Sequence, residues 1–263
     1  MGNNADNISI GIIGGTGGIG KWFAHFFQNA GYPVHVSGRT SGMRPQEMAE
    51  TCSVVIIAVP IRNTIDTIEK VGPLIKPGNL LMDFTSLKTA AVSAMLRASH
   101  SEVIGMHPLF GPELTSIAGQ NVILCPARGE QWLPWLAGTL EQHGAVVTIS
   151  TPERHDEMMS LVQALNHLNT ITLGVALDKS GIKLSDLDPF STPIFRTKRN
   201  LIERIFSGNP RLYAEIIAFN PDRDRILELY SRSLTEIKEL LEKSDTEGLA
   251  KAIQHDNARE KGN

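Results

Sequence analysis

A glycine-rich loop near the amino terminus constrains the fold of this chain more than any other feature. The apolar run Ile8–Ile13 is followed at once by glycines at positions 15, 17 and 20, spaced as in G-x-G-x-x-G. The first glycine of such a motif permits a tight turn, the second lets the backbone approach a pyrophosphate, and the third lets a helix pack closely on the sheet. A strand before the motif and a helix after it predict a dinucleotide site rather than a glycine-rich turn that binds nothing. The residues expected to bind the cofactor here are Gly15, Thr16, Gly17, Gly18, Ile19 and Gly20.

Short apolar runs alternate with longer amphipathic stretches over the first 150 residues, which is typical of a parallel sheet with crossover helices. The predicted strands are Ile8–Ile13, Pro33–Ser37, Val54–Val59, Leu80–Asp83, Val103–Met106, Val122–Cys125 and Ala145–Ile149. After Ser150 the strand pattern ends, and apolar residues such as Ile226, Leu229 and Tyr230 recur at helical spacing. The sequence therefore predicts an α/β fold, with a Rossmann-type dinucleotide-binding domain over residues 1–150 and an all-helical domain over residues 151–263.

The composition is that of an ordinary globular protein, with 41% hydrophobic residues, 20% charged residues and a net charge of -3. There is no basic excess to hold nucleic acid, and no apolar stretch reaches the roughly 18 residues that a membrane helix requires. The leader Met1–Asn7 lacks the regions of a secretory signal, and Cys52 and Cys125 are too few for a disulfide framework, so we expect a cytoplasmic protein. No group of side chains has the spacing of a metal site, and we predict no metal.

The end of the second predicted strand indicates which dinucleotide is bound. Enzymes that use NAD place an acid there, about twenty residues beyond the glycines, to bind the ribose hydroxyls. This chain has Ser37 at that position, so no carboxylate repels a 2′-phosphate, and the guanidinium of Arg39 is available to bind one. We predict NADP as the cofactor, bound by Ser37, Arg39 and Thr40, although a solvated Arg39 in an enzyme that also accepts NAD is an alternative. Val59 and Pro60 are expected beside the nicotinamide ribose.

Candidate reacting groups occur in three segments. Two predicted strand ends carry Ser86, Lys88 and His107. Because the carboxyl ends of parallel strands face the ligand crevice, these side chains could converge on one substrate. The third segment, residues 191–213, lies in the helical part and supplies arginines that suit an anionic substrate.

With these motifs the sequence resembles the prephenate dehydrogenase family over nearly its whole length. The shared motifs are the glycine loop, D-x-x-S-x-K at 83–88, G-x-H-P-x-F-G-P at 105–112, a His-Asp pair at 155–156 followed by a histidine at 167, and a P-I-F-R…L-Y-A-E-I run over 193–217. The likeness is greatest to the dehydrogenase half of bacterial bifunctional chorismate mutase/prephenate dehydrogenases. This sequence departs from them in having no mutase segment before the glycine loop, and in having Ser37 where such enzymes often carry an acid.

The resemblance implies an oxidoreductase of tyrosine biosynthesis, which converts prephenate to 4-hydroxyphenylpyruvate by oxidative decarboxylation with hydride transfer to NADP. In that reaction neutral His107 would take the proton of the ring hydroxyl. Ser86 would hydrogen-bond His107 or the substrate, unless it merely caps the helix expected from Thr89. Arg204 would hold a substrate carboxylate, and the helical domain would form a homodimer. The further candidates for substrate binding are Lys88, Arg196, Tyr213 and His167.

Other interpretations remain open at this point. Arogenate carries an amine where prephenate carries a keto group, so an arogenate or cyclohexadienyl dehydrogenase could differ in one pocket side chain. Another two-domain NADP oxidoreductase, such as a hydroxyacid dehydrogenase or a deazaflavin-linked NADP reductase, gives no reason for His107 together with Arg204. A non-catalytic NADP-binding sensor would be favoured by loss of either residue, and both are present. Lys88 and Arg196 could also form ordinary ion pairs, and Tyr213 could belong to the core.

Overall fold

A computed structural model of the protein describes residues 8–39 and 41–254, so Thr40, a predicted cofactor residue, lies outside the described residues. The strands are β1 Ile10–Ile13, β2 Val34–Ser37, β3 Val54–Ile57, β4 Leu80–Asp83, β5 Glu102–Pro108, β6 Asn121–Arg128 and β7 Val146–Ile149. The α-helices are α1 Gly18–Asn29, α2 Pro45–Thr51, α3 Ile61–Val71, α4 Thr89–Ala98, α5 Trp132–Gln142, α6 Pro152–Met159, α7 Asn166–Lys179, α8 Pro193–Ser207, α9 Pro210–Ala218, α10 Arg223–Glu242 and α11 Thr246–Gln254. A π-helical turn, Ser160–Leu165, joins α6 to α7, and the short 3₁₀ helices are Gly72–Leu74 and Leu184–Phe190.

The seven strands form one sheet in the order β2-β1-β3-β4-β5-β6-β7. Strands β1 to β5 are parallel, as in a Rossmann-type domain, and the predicted fold class is confirmed. The prediction of a wholly parallel sheet is wrong at one place, because β6 runs antiparallel to β5. The described segment 109–120 contains no helix, so the chain turns back directly instead of crossing over. Strand β5 also extends to Pro108, so His107 lies within the strand and not after it.

The centre of the sheet is covered by helices on both faces. Every residue of β1, β3 and β4 is buried, which agrees with their continuous apolar sequences. One face packs on a cluster that includes Phe23 of α1 and Leu136 of α5. The other face packs on Met48, Ile68 and Met95 of α2, α3 and α4. This rigid core places the carboxyl ends of the parallel strands, and the loops that follow them, along one edge.

The part of the chain after β7 is helical. Strand β7 ends at Ile149 and α6 begins at Pro152, and the two domains that we propose, 1–150 and 151–263, would meet there. Helix α6, the π turn and α7 form one continuous helical run from Pro152 to Lys179. None of the helices in the described ranges is long and apolar enough to cross a membrane.

Candidate active site

The glycine loop connects β1 to α1 and leaves the start of the helix open. Gly17 is the N-cap of α1, whose first turn contains no acidic side chain. A Cβ at Gly20 would lie 2.6 Å from the carbonyl oxygen of Gly14, and one at Gly15 would lie 2.8 Å from the side chain of Val36. A Cβ at Gly17 would have no atom nearer than 3.8 Å. Packing therefore requires the first and third glycines, while the second leaves helix N–H groups accessible to a pyrophosphate, which fits a dinucleotide.

The loop after β2 borders the same site. A Cβ at Gly38 would lie 2.6 Å from the hydroxyl of Thr16, so this loop packs against the glycine loop. Ser37 is only 3% exposed, whereas Arg39 is exposed and its guanidinium forms no ion pair with any described residue. Arg44, at the N-cap of α2, supplies a second exposed guanidinium that sequence reasoning did not single out. The exposed cations at this loop are therefore Arg39, which is unpaired among the described residues, and Arg44, whose Nε lies 4.0 Å from a carboxylate oxygen of Glu47.

Val59 and Pro60 lie between β3 and α3, next to the glycine loop. A Cβ at Gly14 would lie 2.5 Å from the carbonyl oxygen of Ala58 and 3.0 Å from the nitrogen of Val59. Pro60 is exposed and forms the N-cap of α3, and Ile19 is half-buried in the first turn of α1. The structure thus brings these predicted cofactor residues together at the carboxyl edge of β1 and β3.

His107 begins a chain of three hydrogen-bonded side chains. Its Nδ1 lies 2.8 Å from Nε2 of His155, and Nδ1 of His155 lies 2.8 Å from Oδ1 of Asp156. The Asp156 carboxylate also accepts the backbone N–H groups of Lys88 and Thr89, at 2.8 and 2.9 Å. The chain therefore connects β5 to α6 and to the start of α4. Sequence reasoning identified His155 and Asp156 as a shared motif but did not connect them with His107.

Burial and neighbouring charge keep His107 neutral. Its side chain is in the protein interior, and burial holds the pKa of its imidazole well below the ordinary histidine value, with smaller contributions from His155 and Lys88. A histidine with such a pKa is unprotonated near pH 7, as a general base must be. In the described ranges no group of three or more histidine, cysteine or carboxylate side chains is arranged to hold a metal ion.

Ser86 lies near this network without joining it. The side chain is half-buried and makes no hydrogen bond to any described residue. Helix α4 has Lys88 as its N-cap, and its first N–H groups are bound by Asp156, so the alternative role of Ser86 as the cap of that helix is wrong. Its hydroxyl is left available, and its contact with a substrate hydroxyl is a proposal.

Lys88 is fully buried and has protein partners. Its ammonium group forms an ion pair with Asp83 and donates to the carbonyl oxygen of Met106 at 3.0 Å. The same Asp83 carboxylate accepts the N–H of Thr85 at 2.9 Å and the Thr85 hydroxyl. Because Lys88 has no exposed surface, the prediction that it binds a substrate carboxylate is corrected. It is one half of a buried ion pair beneath β5.

Three other predicted substrate residues lie together on α7, α8 and α9. The rings of His167 and Tyr213 are 4.9 Å apart at an interplanar angle of 79°. Burial lowers the pKa of His167, and the nearby charge of Arg204 lowers it further. The Arg204 guanidinium forms an ion pair with Glu113, which lies in the loop after β5, and both side chains are more than half exposed. Arg196, two turns earlier on α8, is exposed and has no ion-pair partner within the described residues.

Gln163 contacts His107 and precedes His167 along the same helical run. It lies in the π turn between α6 and α7, and its Nε2 is 3.4 Å from Nε2 of His107. Its Oε1 is buried and has no hydrogen-bond partner among the described residues. It precedes His167 by four residues, so both side chains lie on one side of the helical run. Isolated π turns of this kind are frequent at functional sites, and their position is not visible in a sequence.

The fold and the site together have the features of a dinucleotide-binding dehydrogenase. The family profile for the nucleotide-binding domain of prephenate dehydrogenase matches residues 36–149, and the profile for its dimerization domain matches residues 151–255. The chain belongs to the prephenate/arogenate dehydrogenase family, as the sequence motifs predicted.

Individual relatives agree with this assignment. A protein of Methanocaldococcus jannaschii named a probable arogenate/prephenate dehydrogenase is 36% identical over 94% of this chain and 60% of its own length. The T-protein of Haemophilus influenzae is 32% identical over 95% of this chain and 66% of its own length, so the chain spans less than two thirds of either relative. The crystal structure of A. aeolicus prephenate dehydrogenase with hydroxyphenyl propionate and NAD+ has a TM-score of 0.74 at 20% identity, covering 96% of this chain and 97% of that one. At that identity the structural likeness establishes the fold.

Proposed function

We propose that this chain is a prephenate dehydrogenase, which converts prephenate to 4-hydroxyphenylpyruvate by oxidative decarboxylation with NADP as hydride acceptor. The proposal depends most on His107, which is buried and neutral in a chain of this family. Its Nε2 lies 3.4 Å from Nε2 of Gln163. Arogenate is the competing substrate, because a relative is named for both compounds. NAD is the competing cofactor, because a structure of the same fold contains it.

His107 performs the proton transfer of this reaction. Its Nδ1 is engaged by His155, so Nε2 accepts the proton of the ring hydroxyl. Negative charge that builds on the oxygen assists the departure of a hydride from the carbon to which it is attached. Bound NADP supplies the acceptor for that hydride. The bond to the ring carboxylate then breaks, carbon dioxide leaves, and the electron pair of the broken bond completes the aromatic ring. The ring oxygen takes its proton back from His107, which regenerates the neutral base.

Arg204 binds a carboxylate of the substrate. Prephenate carries two carboxylates, and the fixed donors of a guanidinium suit a carboxylate better than an ammonium does. The exposed ion pair of Arg204 with Glu113 supports this role, because the same guanidinium is accessible to a carboxylate from solvent. His167, Tyr213 and Arg196 line the substrate side of the helical domain.

NADP selectivity should depend on Arg39. Replacing Arg39 with alanine is expected to raise the KM for NADP about tenfold or more, because a charged hydrogen bond contributes roughly 1.5–3 kcal/mol. The KM for NAD should stay unchanged, since NAD has no 2′-phosphate. Initial rates with each cofactor measure both values, and Arg97→Ala, on the exposed side of α4, is the matched control. Equal losses with NADP and NAD would contradict a contact with the 2′-phosphate.

The pH dependence of the reaction should reflect the burial of His107. Its pKa lies well below the ordinary value near 6.5, so the free enzyme keeps its base unprotonated as the pH falls through 6.5. We expect kcat/KM to hold constant there and to decline only at lower pH. The lowered pKa also affects stability, because the unfolded chain binds a proton at His107 more readily than the folded protein does. The free energy of unfolding is therefore unaffected by His107 above about pH 6.5 and decreases as the pH falls below that value. A kcat/KM profile with an acid limb centred at or above 6.5 would exclude His107 as the base.

We infer a homodimer formed through the helical domain. Large apolar side chains are exposed on α8 and α10, among them Ile194, Leu201, Leu234, Ile237 and Leu241. The last three are spaced by three and four residues and so occupy one face of α10, and an exposed apolar face of this kind is typical of an interface. The match to a dimerization domain supports the same assignment.

Charge on that face should separate the subunits. In sedimentation equilibrium we expect wild-type protein at twice 28.7 kDa, and Leu234→Glu with Leu241→Glu at 28.7 kDa. Ile149→Glu, at the end of β7, is the control, because Ile149 is similarly exposed, at 52%, on the other domain. A wild-type monomer, or dissociation by the control alone, would refute the proposed interface.

Reduced-nicotinamide absorbance tests the reaction itself. Purified protein is supplied with prephenate or arogenate, each with NADP or NAD. Turnover of prephenate with NADP supports the proposal, whereas turnover of arogenate alone, or of both substrates, identifies an arogenate or a cyclohexadienyl dehydrogenase. If no combination reacts while NADP still binds, the proposal fails in favour of a nucleotide-binding sensor or of an enzyme for another substrate.

A further inference from the structure

Behind His107 lie two side chains that the proposed reaction does not touch. The side chains of His155 and Asp156 are 0% and 2% exposed, and both ring nitrogens of His155 are occupied, one by His107 and the other by Asp156. The imidazole rings of His107 and His155 are 5.0 Å apart at an interplanar angle of 64°. Both hydrogen bonds of the chain from His107 to Asp156 are 2.8 Å long. Burying ionisable side chains costs free energy, so an arrangement of this kind indicates a role in the site.

The direction of each hydrogen bond follows from the carboxylate. Burial alone would raise the pKa of Asp156, but hydrogen bonds from His155, Lys88 and Thr89 outweigh it and hold that pKa below its ordinary value. An ionised carboxylate can only accept, so Nδ1 of His155 carries a hydrogen. In its neutral form, His155 with a hydrogen on Nδ1 has its lone pair on Nε2, and this nitrogen accepts from Nδ1–H of His107. The remaining nitrogen of neutral His107, Nε2, is then the unprotonated one.

The opposite direction is unfavourable at each step. A hydrogen on Nε2 of His155 would leave a lone pair on Nδ1 facing the Asp156 carboxylate at 2.8 Å. The carboxylate cannot turn away, because Lys88 and Thr89 donate their backbone N–H groups to its two oxygens. The contact of Gln163 agrees, since an amide nitrogen donates and so requires a lone pair on Nε2 of His107.

We propose that His155 and Asp156 are positioning residues, which hold His107 in the tautomer whose Nε2 is free to accept a proton from the substrate side. This inference rests on the proposed role of His107 as the base. When Nε2 takes the substrate proton, Nδ1–H stays bound to His155, and no further proton moves. The cation that forms is then linked through His155 to the Asp156 carboxylate, while the nearby Lys88 charge is balanced by Asp83. Histidines in other active sites depend on an orienting carboxylate in the same way.

Histidine ¹⁵N chemical shifts test the tautomer without any substrate. In wild-type protein at pH 7.5 we expect the His107 signal to report a hydrogen on Nδ1 and none on Nε2. His143 is an internal control, because its Nδ1 must donate to the carbonyl oxygen of Thr139 at 2.8 Å and it shares no hydrogen bond with the chain from His107 to Asp156. In His155→Ala the His107 signal should move towards the Nε2–H form, which is the ordinary one in water, while the His143 signal stays in place. A hydrogen on Nε2 of His107 in the wild type would overturn the inference.

Kinetics provide the second readout. In His155→Ala we expect kcat to fall about 10- to 100-fold, as for outer partners of other functional histidines, with the KM for NADP unchanged. His155→Gln should restore part of kcat, because its amide oxygen can accept from Nδ1–H of His107. If kcat falls equally in both variants while the His107 tautomer stays unchanged, His155 has only a structural role and the inference is wrong. If the wild type fails to oxidise prephenate, the proposed function fails, whereas the ¹⁵N spectrum still decides the tautomer.

Discussion

His107→Asn should lower kcat for prephenate by about 10²- to 10⁴-fold, the contribution typical of a positioned general base. Asparagine keeps a polar side chain of similar size within β5 but cannot take a proton at neutral pH. The affinity for NADP should not change, because His107 lies on a different strand from the glycine loop. Steady-state rates at saturating substrate measure kcat, and a fluorescence titration measures NADP binding.

His143→Asn is the matched control for this prediction. His143 ends α5, and its ring is hydrogen-bonded to Thr139 at 2.8 Å within the same helix. We expect that variant to keep the wild-type kcat. If His107→Asn retains a kcat close to that of the control, the proton is accepted elsewhere and His107 is not the base.

Lys88→Met should lower the free energy of unfolding by about 3–5 kcal/mol, because it leaves the buried Asp83 charge without its partner. Both side chains are 0% exposed, so no solvent screens the carboxylate that remains. Urea unfolding followed by circular dichroism measures the change. Had Lys88 been a surface ligand for the substrate, the same substitution would raise the KM for prephenate and leave stability almost unchanged.

Two further variants make the Lys88 prediction specific. Lys70→Met, in the exposed last turn of α3, should change stability little. The double variant Asp83→Asn with Lys88→Met should be more stable than Lys88→Met alone, because the uncompensated charge is gone. A double variant no more stable than the single one would mean that Lys88 contributes through packing and not through its charge.

Local patterns were sufficient to predict most of the sheet. The buried strands β1, β3 and β4 are continuous apolar runs, and the glycine spacing constrains the turn into α1 without reference to distant residues. The direction of β6 could not be predicted in this way, because the apolar pattern of a strand is the same in either direction. The informative feature was the segment 109–120, which separates two strands without a helical pattern.

The candidate site was harder to predict because it depends on packing between distant segments. The contact of His155 with His107 joins residues 48 positions apart and requires α6 to dock on the start of α4. We predicted a substrate contact for Lys88 because lysine is seldom buried. Asp83, five residues earlier in the sequence, was the feature that could have indicated a buried ion pair instead. Gln163 lies in a π turn, which shifts the helical periodicity on which sequence reasoning depends.

Product stoichiometry is the most direct test of the proposed reaction. Purified protein is incubated with NADP and prephenate labelled in its ring carboxylate. NADPH is measured by absorbance, labelled carbon dioxide by trapping and 4-hydroxyphenylpyruvate by chromatography. We expect the three products in equal amounts. NADPH formed without carbon dioxide, or no product from folded protein that binds NADP, would contradict oxidative decarboxylation by this chain.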